Sequence, residues 1–446
     1  MRFSPKLNDS TTLSKNIKTF FDKDQIEKLA RETGFVKRRR ILTGFDFLNL
    51  CVFGVFKEGL SMSLVQLCCF LHKSELLISS ESLNQRFNNS AVLFMKKLFE
   101  LALVKFLDTK TGLNFLKSFN GVYIQDSTSF QLPSCFSDKY PGSGGGASGA
   151  ALKIDLTYNI QNGKSLVSVV PGNESDHKSC MGNMKKGSLL LRDLGYFKLN
   201  ALELMNDCST YYISRLRSSV NIYRSPEKDA EMVDLEEYAS SMRENEIMDI
   251  EVYLGNSKRI PVRLVVQKTP HNVSEQKKYN LKKDRKRRQA NLSSKRLNLC
   301  ALTMMITNIP VKKMRAKDVF RVYKIRWQIE LIFKIWKSQY QIHTIKKMKI
   351  ERMECQLYSR LIFIILNTMI MTSIKIQFWN DYGIDLSETK AMQLLRDTKH
   401  SEWLQLILKT PRKIKAELHT IFILLYRYAQ KSYKINKFSP LQLSLT

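Results

Sequence analysis

Apolar positions recur at helical spacing through residues 1–118, most clearly in DQIEKLARETGF, FDFLNLCVFGVF and AVLFMKKLFELALVKFL. Between the last two, SMSLVQLCCFLHKSELLISSESLNQRFN reads as two helices joined by a turn, with Ser80 or Ser82 as the N-cap of the second. The pair is either an ordinary helical hairpin or a helix-turn-helix. In the second case Asn84, Gln85 and Arg86 would stand near the start of the second helix, where base-reading side chains are presented.

From residue 121 the period changes. GVYIQD is a short apolar strand ending in Asp126, followed by the glycine-rich turn PGSGGGASGA at 141–150. KIDLTYNI alternates apolar and polar residues with period two, as a half-buried strand does. Asn162-Gly163 is a strong hairpin signal, and SLVSVV returns as the partner strand. GSLLLRD is another short apolar strand ending in a carboxylate, Asp193; LNALELMND is helical and TYYISRL is a further strand. This order predicts a mixed α/β sheet, in which functional groups gather at the ends of central strands.

Residues 219–312 interrupt that layout with strand candidates IMDIEVYLG, IPVRLVVQ and LCALTMMITN. Among them, the 20 residues from Lys277 to Arg296 carry ten Lys or Arg and one acid, Asp284. A charge run is commonly a solvated face. At this density it reads as an arm facing DNA, with Lys282, Lys283, Arg285, Lys286, Arg287 and Arg288 at its centre. Residues 340–446 are again helical and basic. Their most apolar run, Leu361–Ile374, is shorter than the roughly 20 residues that span a bilayer, so a buried helix is expected and no membrane partner.

Charge narrows the class of partner. The chain has 446 residues, with 72 Lys or Arg against 41 Asp or Glu, a formal charge of +31. An excess of that size suits a polyanion, because each phosphate contact releases condensed counterions. The cluster Lys37-Arg38-Arg39-Arg40 is a plausible phosphate contact in this setting. The eight cysteines include no C-x-x-C pair and the six histidines are scattered, so no zinc site is signalled. The thiols read as reduced and mostly buried. The first residues lack the apolar middle of a secretory signal, and a soluble, cytoplasmic protein is expected.

Asp126 and Asp193 could share a sheet edge, where the repulsion of two close carboxylates would call for a cation. The helix expected over KDVFRVYKIRWQIELIFKIWKSQY adds a second pattern. At about 100° per residue, with Tyr323 at 0°, Arg326 falls near −60°, Glu330 near −20° and Lys337 near −40°. Val322, Ile325, Ile329, Ile332 and Trp336 cluster at about 180° to 260°, the face expected to pack on the sheet.

The spacing Tyr323-x2-Arg326-x3-Glu330-x6-Lys337 resembles the Tyr-Arg-Glu-Lys signature of the IS-four family of bacterial insertion-sequence transposases. YIQDSTSFQLP, YPGSGGGASGAALKIDLTYN, LLLRDLGYF, YYISRLR, IRWQIELIFKIWKS and ERMECQLYSRL are similar to that family's blocks, and the resemblance covers nearly the whole chain. It implies an RNase H-like mixed-sheet catalytic core carrying a β-rich insertion and flanked by N- and C-terminal helical regions. The corresponding divisions are a helical DNA-binding region at 1–118, the first part of the core at 119–218, the insertion with its basic arm at 219–312, the core helix at 313–345, and a helical region at 346–446.

On that resemblance Asp126, Asp193 and Glu330 are the catalytic metal ligands, holding two Mg²⁺ ions, with Mn²⁺ as a substitute. Arg326 and Lys337 would hold phosphates near the cut and Tyr323 would contact the transposon end. The implied activity is metal-dependent cleavage and strand transfer of the element's own ends, by a cut-and-paste route through a hairpin. Its partners would be double-stranded DNA, as terminal inverted repeats and as target, and a second copy of the chain in a homodimer; its place would be the bacterial nucleoid. Tyr279 lies in the insertion, but with no Trp between 219 and 312 no residue is assigned to stack a flipped base. Among rival carboxylates, Asp155 is expected at the surface, Asp176 could support the site, and Glu174, Glu351 and Glu354 are weaker ligand candidates. A non-catalytic DNA-binding repressor and a nuclease of the same fold are the competing readings.

Overall fold

The computed structural model describes residues 15, 17–38, 41–54, 63–72, 75–106, 116, 118–144, 148–161, 165–174, 184–287, 289–397 and 414–431. Arg39, Arg40, Asn162, Gly163, Asp176 and Arg288, on which expectations were placed, lie outside the described residues. Nine strands form one mixed sheet: β1 (Val122–Leu132), β2 (Ala150–Asn159), β3 (Ser165–Pro171), β4 (Leu189–Arg192), β5 (Tyr211–Arg215), β6 (Ile222–Tyr223), β7 (Ile247–Leu254), β8 (Ile260–Lys268) and β9 (Leu302–Thr307). Their spatial order is β3-β2-β1-β4-β5-β9-β8-β7-β6. β4 pairs in parallel with both β1 and β5, and the remaining neighbours are antiparallel. Through the β5–β9 pair, the strands of the 219–312 segment extend the same sheet that carries the two aspartates.

The helices are α1 (Lys23–Glu32), α2 (Gly44–Asn49), α3 (Leu64–His72), α4 (Ser80–Arg86), α5 (Asn89–Phe106), α6 (Leu199–Asp207), α7 (Leu235–Ser241), α8 (His271–Arg287), α9 (Ser294–Asn298), α10 (Ala316–Ile325), α11 (Trp327–Ser338), α12 (Ile350–Tyr382), α13 (Glu388–Asp397) and α14 (Ile414–Tyr428). Together with the sheet they bear out the mixed α/β, RNase H-like architecture with helical flanks.

The sheet separates two apolar cores. Leu189 and Leu191 join one, which takes in α5, α10, α11 and α12; Leu190 joins the other, with Phe197, Leu202, Val252 and Leu264. Alternation along β4 therefore feeds both faces, and each fully buried aliphatic contributes about 1.5–3 kcal/mol.

Several expectations change. β1 runs well past Asp126, because Thr128, Phe130 and Leu132 continue the buried alternation behind the polar run Asp-Ser-Thr-Ser. The run Leu361–Ile374 belongs to α12, a helix of 33 residues. By length and composition it could cross a membrane, but 72% of its most apolar window is buried inside the protein. Phe363 and Tyr358 pack edge-on or tilted against Phe53 and Phe99, at 6.4 and 5.8 Å between ring centroids. Buried Glu354, Arg360 and Asn367 along the same helix also suit a protein interior better than lipid.

The N-cap of α4 is Ser79, whose side chain accepts from Ser82 N at 3.2 Å, not Ser80 or Ser82. Asn84, Gln85 and Arg86 fall at the end of α4 rather than its start. The Arg86 guanidinium lies 4.4 Å from the Phe35 ring centroid, committed to packing between helices. Of the seven described cysteines only Cys51 and Cys355 are buried, so the thiols are not mostly interior. Of the basic segment, expected as an arm among strands, the first part, Lys277–Arg287, belongs to the 17-residue helix α8, and Lys295 and Arg296 lie on α9. Lysine and arginine are good helix formers, and its low apolar content hid the helical period.

Candidate active site

Two parallel strands bring the aspartates together. Gln125 of β1 is the register partner of Arg192 of β4, so the next residues, Asp126 and Asp193, follow side by side. Asp126 stands in the middle of β1, on the face of Val122 and Ile124, and its Oδ1 accepts from Ser127 N at 2.8 Å. Asp193 follows the last residue of β4 and opens the 3₁₀ turn Leu194–Tyr196. Its carboxylate caps none of that turn's backbone N–H groups.

The third acid arrives on the α10–α11 pair. The single helix expected here is broken at Arg326, whose N–H bonds Tyr323 O and whose carbonyl accepts from Ile329 N, both at 3.1 Å. These i,i+3 bonds tighten one turn without leaving the right-handed helical region, so the polar arc survives. Its direction is the reverse of the expectation: the arc lies on the sheet. Tyr323 Oη is 3.3 Å from the Arg192 carbonyl that it donates to, and Lys337 Nζ donates to Ser129 O of β1 at 3.0 Å. The apolar residues opposite, including Val322, Ile329 and Trp336, are buried in the larger core.

Arg326 ties the constellation together. Its guanidinium is almost fully buried and meets all three acids: Glu330 Oε1 at 2.5 Å, Asp126 Oδ2 at 3.5 Å and Asp193 Oδ1 at 3.6 Å. Glu330 and Asp193 keep more than a third of their side-chain surface, while Asp126 is deeper. Burial pushes the Asp126 carboxyl up to about 6, with the Asp193 and Glu330 charges adding to the rise and Ser127 N–H and Arg326 opposing it. Burial also raises the Tyr323 phenol, which keeps it a neutral donor.

Three acids against one buried cation leave an excess of negative charge made entirely of hard oxygen donors. That set fits Mg²⁺ or Mn²⁺ and offers nothing to a soft metal. Among the described residues no three acid, histidine or cysteine side chains close by themselves on a metal-sized point. The acids are turned toward Arg326, and an ion bound there would compete with that guanidinium for the carboxylates.

The rival carboxylates are engaged elsewhere. Glu354 is buried and bound by Tyr140 Oη and by Lys139 Nζ, the latter at 2.8 Å; Glu351 lies 3.9 Å from Lys349 Nζ. Asp155, expected at the surface, is buried, because both faces of β2 are covered around it. On α8, Lys282, Lys283, Lys286 and Arg287 are exposed and Arg285 is half-buried. Arg287 pairs with Asp284 at 2.8 Å.

Sequence reasoning passed over Arg215. It ends β5, is exposed, and lies 5.7 Å from the Tyr323 ring centroid, while Arg326 lies 5.5 Å from the same ring. A basic residue closing the strand beside the second aspartate was the available signal.

A family model described as a transposase DDE domain matches residues 117–367, a span that contains all three acids. The transposase for insertion sequence element IS231E of Bacillus thuringiensis subsp. finitimus is 34% identical over 435 residues, covering 92% of this chain and 90% of the relative. The IS231C transposase of Bacillus thuringiensis subsp. berliner is also 34% identical, with the same coverage. The transposase of IS1151 from Clostridium perfringens is 32% identical, covering 85% of this chain and 84% of the relative. A DDE domain acts on DNA and depends on a divalent metal. With that domain matched over more than half its length and transposases similar along nearly all of it, the chain belongs to the DDE transposase family.

Proposed function

We propose that this transposase cuts and rejoins DNA at the ends of its own insertion element, with Asp126, Asp193 and Glu330 as the catalytic acids. The observation that carries the reading is the meeting of three carboxylates from β1, β4 and α11 on one buried arginine. An acid cluster held this close, with too little positive charge to balance it, is poised for cations and for the chemistry they support.

Asp126, Asp193 and Glu330 would hold two Mg²⁺ ions, or Mn²⁺ in their place. When bound, such ions supply the Lewis acidity that activates an attacking hydroxyl and stabilises the leaving oxygen. The chain's own groups do the positioning. Arg326, fixed by three ion pairs, offers its guanidinium to the phosphate being displaced. Lys337 holds a neighbouring phosphate, and Tyr323 orients the transposon end against Arg326. The exposed cations of α8, Lys282, Lys283, Lys286 and Arg287, with Arg285 and Arg288, grip phosphates away from the cut. Because phosphoryl transfer is mostly positioning and charge neutralisation, no histidine base or cysteine nucleophile is required.

The DNA partners in this reading are the terminal inverted repeats and a target duplex, bridged by a homodimer in the bacterial cytoplasm, and the route is cut-and-paste. The test uses a supercoiled plasmid carrying the gene with its flanking DNA. Asp126→Ala, Asp193→Ala and Glu330→Gln should each abolish Mg²⁺-dependent nicking at the flanks while end binding persists. Nicking at the normal rate by any one of them removes that residue from the site.

A further inference from the structure

Whether Asp126 and Asp193 stand side by side depends on the register of β4 against β1, and the apolar pattern of β4 does not specify it. Leu189, Leu190 and Leu191 are all fully buried, alternately in the two cores. Sliding such a run by one residue exchanges leucine for leucine on both faces, so hydrophobic burial scarcely opposes the slip. The same slip would carry Asp193 to the opposite face of the sheet from Asp126.

Polar groups on the far face supply what the leucines lack. Gln125 and Arg192, the residues immediately before the two aspartates, are register partners 67 residues apart, and Arg192 Nε donates to Gln125 Oε1 at 2.8 Å. Gln125 Nε2 donates to Asp155 Oδ2 at 3.2 Å, and Tyr196 Oη donates to Asp155 Oδ1 at 3.1 Å. The Arg192 guanidinium also lies 5.6 Å from the Tyr196 ring centroid. All four side chains are buried. The Gln125 amide is held by Asp155 of β2 with its oxygen turned toward Arg192, so a slip of β4 would take the buried Arg192 away from that acceptor. Asp193 is thus held from before by Arg192 and from after by Tyr196.

We propose that the chain Arg192–Gln125–Asp155–Tyr196 registers β4 on β1 and thereby sets the spacing of Asp126 and Asp193. The four are positioning residues, touching neither DNA nor the reacting atoms. The proposal rests on the assignment of those two aspartates as catalytic acids.

The test compares Arg192→Met and Tyr196→Phe with the unaltered full-length chain. Mn²⁺ binding is followed by electron paramagnetic resonance without DNA, and nicking on the plasmid with flanking DNA gives kcat and KM. Arg192→Met should lower Mn²⁺ affinity and kcat by about ten- to a hundredfold, the range seen when groups supporting metal ligands are lost, with KM for DNA unchanged. Tyr196→Phe, which removes one oxygen, should lower both by about threefold at an unchanged melting temperature. Folded variants with normal Mn²⁺ affinity and kcat overturn the proposal. So does a loss of activity that tracks only the unfolded fraction. If Arg192→Met does not fold, Tyr196→Phe decides the matter. Asp126→Ala is run alongside: if it binds Mn²⁺ and cuts normally, the site assignment fails, whatever the other variants do.

Discussion

Towards the C-terminal end of the chain, Lys375 pairs with Glu388 at 2.5 Å and lies 3.9 Å from Asp385, which Lys431 reaches at 3.0 Å. Two cations meet two acids there, joining α12 to α13 and to the residues after α14. At the junction of β1, β4 and α11, Arg326 meets three acids. Each cluster is built on a buried charge, Asp385 in the first and Arg326 in the second, and each costs desolvation. In the first, mutual attraction offsets that cost and the charges are spent on holding helices together. In the second, three acids face one cation and the excess negative charge remains; burial raises the Asp126 carboxyl, and the Asp193 and Glu330 charges add to the rise. Helix α8 is unbalanced in the other sense, with seven Lys or Arg against two acids in an exposed setting. Balance marks a structural cluster here; imbalance, in the reading proposed above, marks a surface that takes a counter-ion, a metal in one case and phosphate in the other.

The sharpest way to break the comparison is to remove an acid from each cluster. Asp126→Ala should cost at least about a thousandfold in nicking rate, since several kcal/mol of charge stabilisation are lost. It should leave the melting temperature unchanged or raised, because repulsion is relieved. A lower melting temperature would mean that the cluster around Arg326 also holds the fold together. Asp385→Asn should do the opposite, destabilising the chain by about 3 kcal/mol in denaturant titration while each folded molecule cuts normally. A variant of undiminished stability would show that the C-terminal cluster is not structural.

Replacing Lys282, Lys283, Lys286 and Arg287 with alanine should weaken DNA binding by about tenfold at moderate salt. It should also flatten the dependence of affinity on salt concentration, by roughly 0.9 in the log–log slope for each phosphate no longer neutralised. An unchanged slope would separate α8 from phosphate.

The smallest effect is in pH. An acid whose folded-state value is raised holds its proton in the native state between its ordinary value and about 6, where the unfolded chain has lost it. Asp126 therefore contributes stability at acid pH that is lost as pH rises through about 6. Metal competes with the same proton, so at limiting Mg²⁺ nicking should rise through that window. Saturating metal should shift the midpoint to lower pH. A midpoint indifferent to metal concentration would exclude Asp126 as the titrating ligand.

What was legible in the sequence followed from local periodicity. Strands β2, β3, β7, β8 and β9 announced themselves by period two or by apolar runs. Asp193 stood where the end of a strand predicted, and the arc from Tyr323 to Lys337 needed only the helical repeat. What was missed depended on neighbours far along the chain. Asp155 looked solvent-facing, since one strand cannot show that both of its faces are covered. Arg86 looked like a base reader because Phe35, its packing partner, is distant in sequence. The arc was directed away from the sheet because amphipathic reasoning assumes that buried faces are apolar, and an ion-paired guanidinium breaks that assumption.

By itself the sequence offered two strand-end aspartates, a polar arc from Tyr323 to Lys337 that includes Glu330, and a positive charge that suits a polyanion; the resemblance to a transposase family made these three carboxylates a metal site. The positions follow from residue types and from repeats of 2 and 3.6, which are local properties of the backbone. Only the tertiary structure decided that β4 lies parallel to β1 in one register, that Arg326 stands among the acids, and that β9 carries the 219–312 strands into the sheet of the two aspartates. Those choices belong to pairings between distant segments. A run of three leucines has no preferred partner residue, and it takes one where the buried Arg192 donates to Gln125.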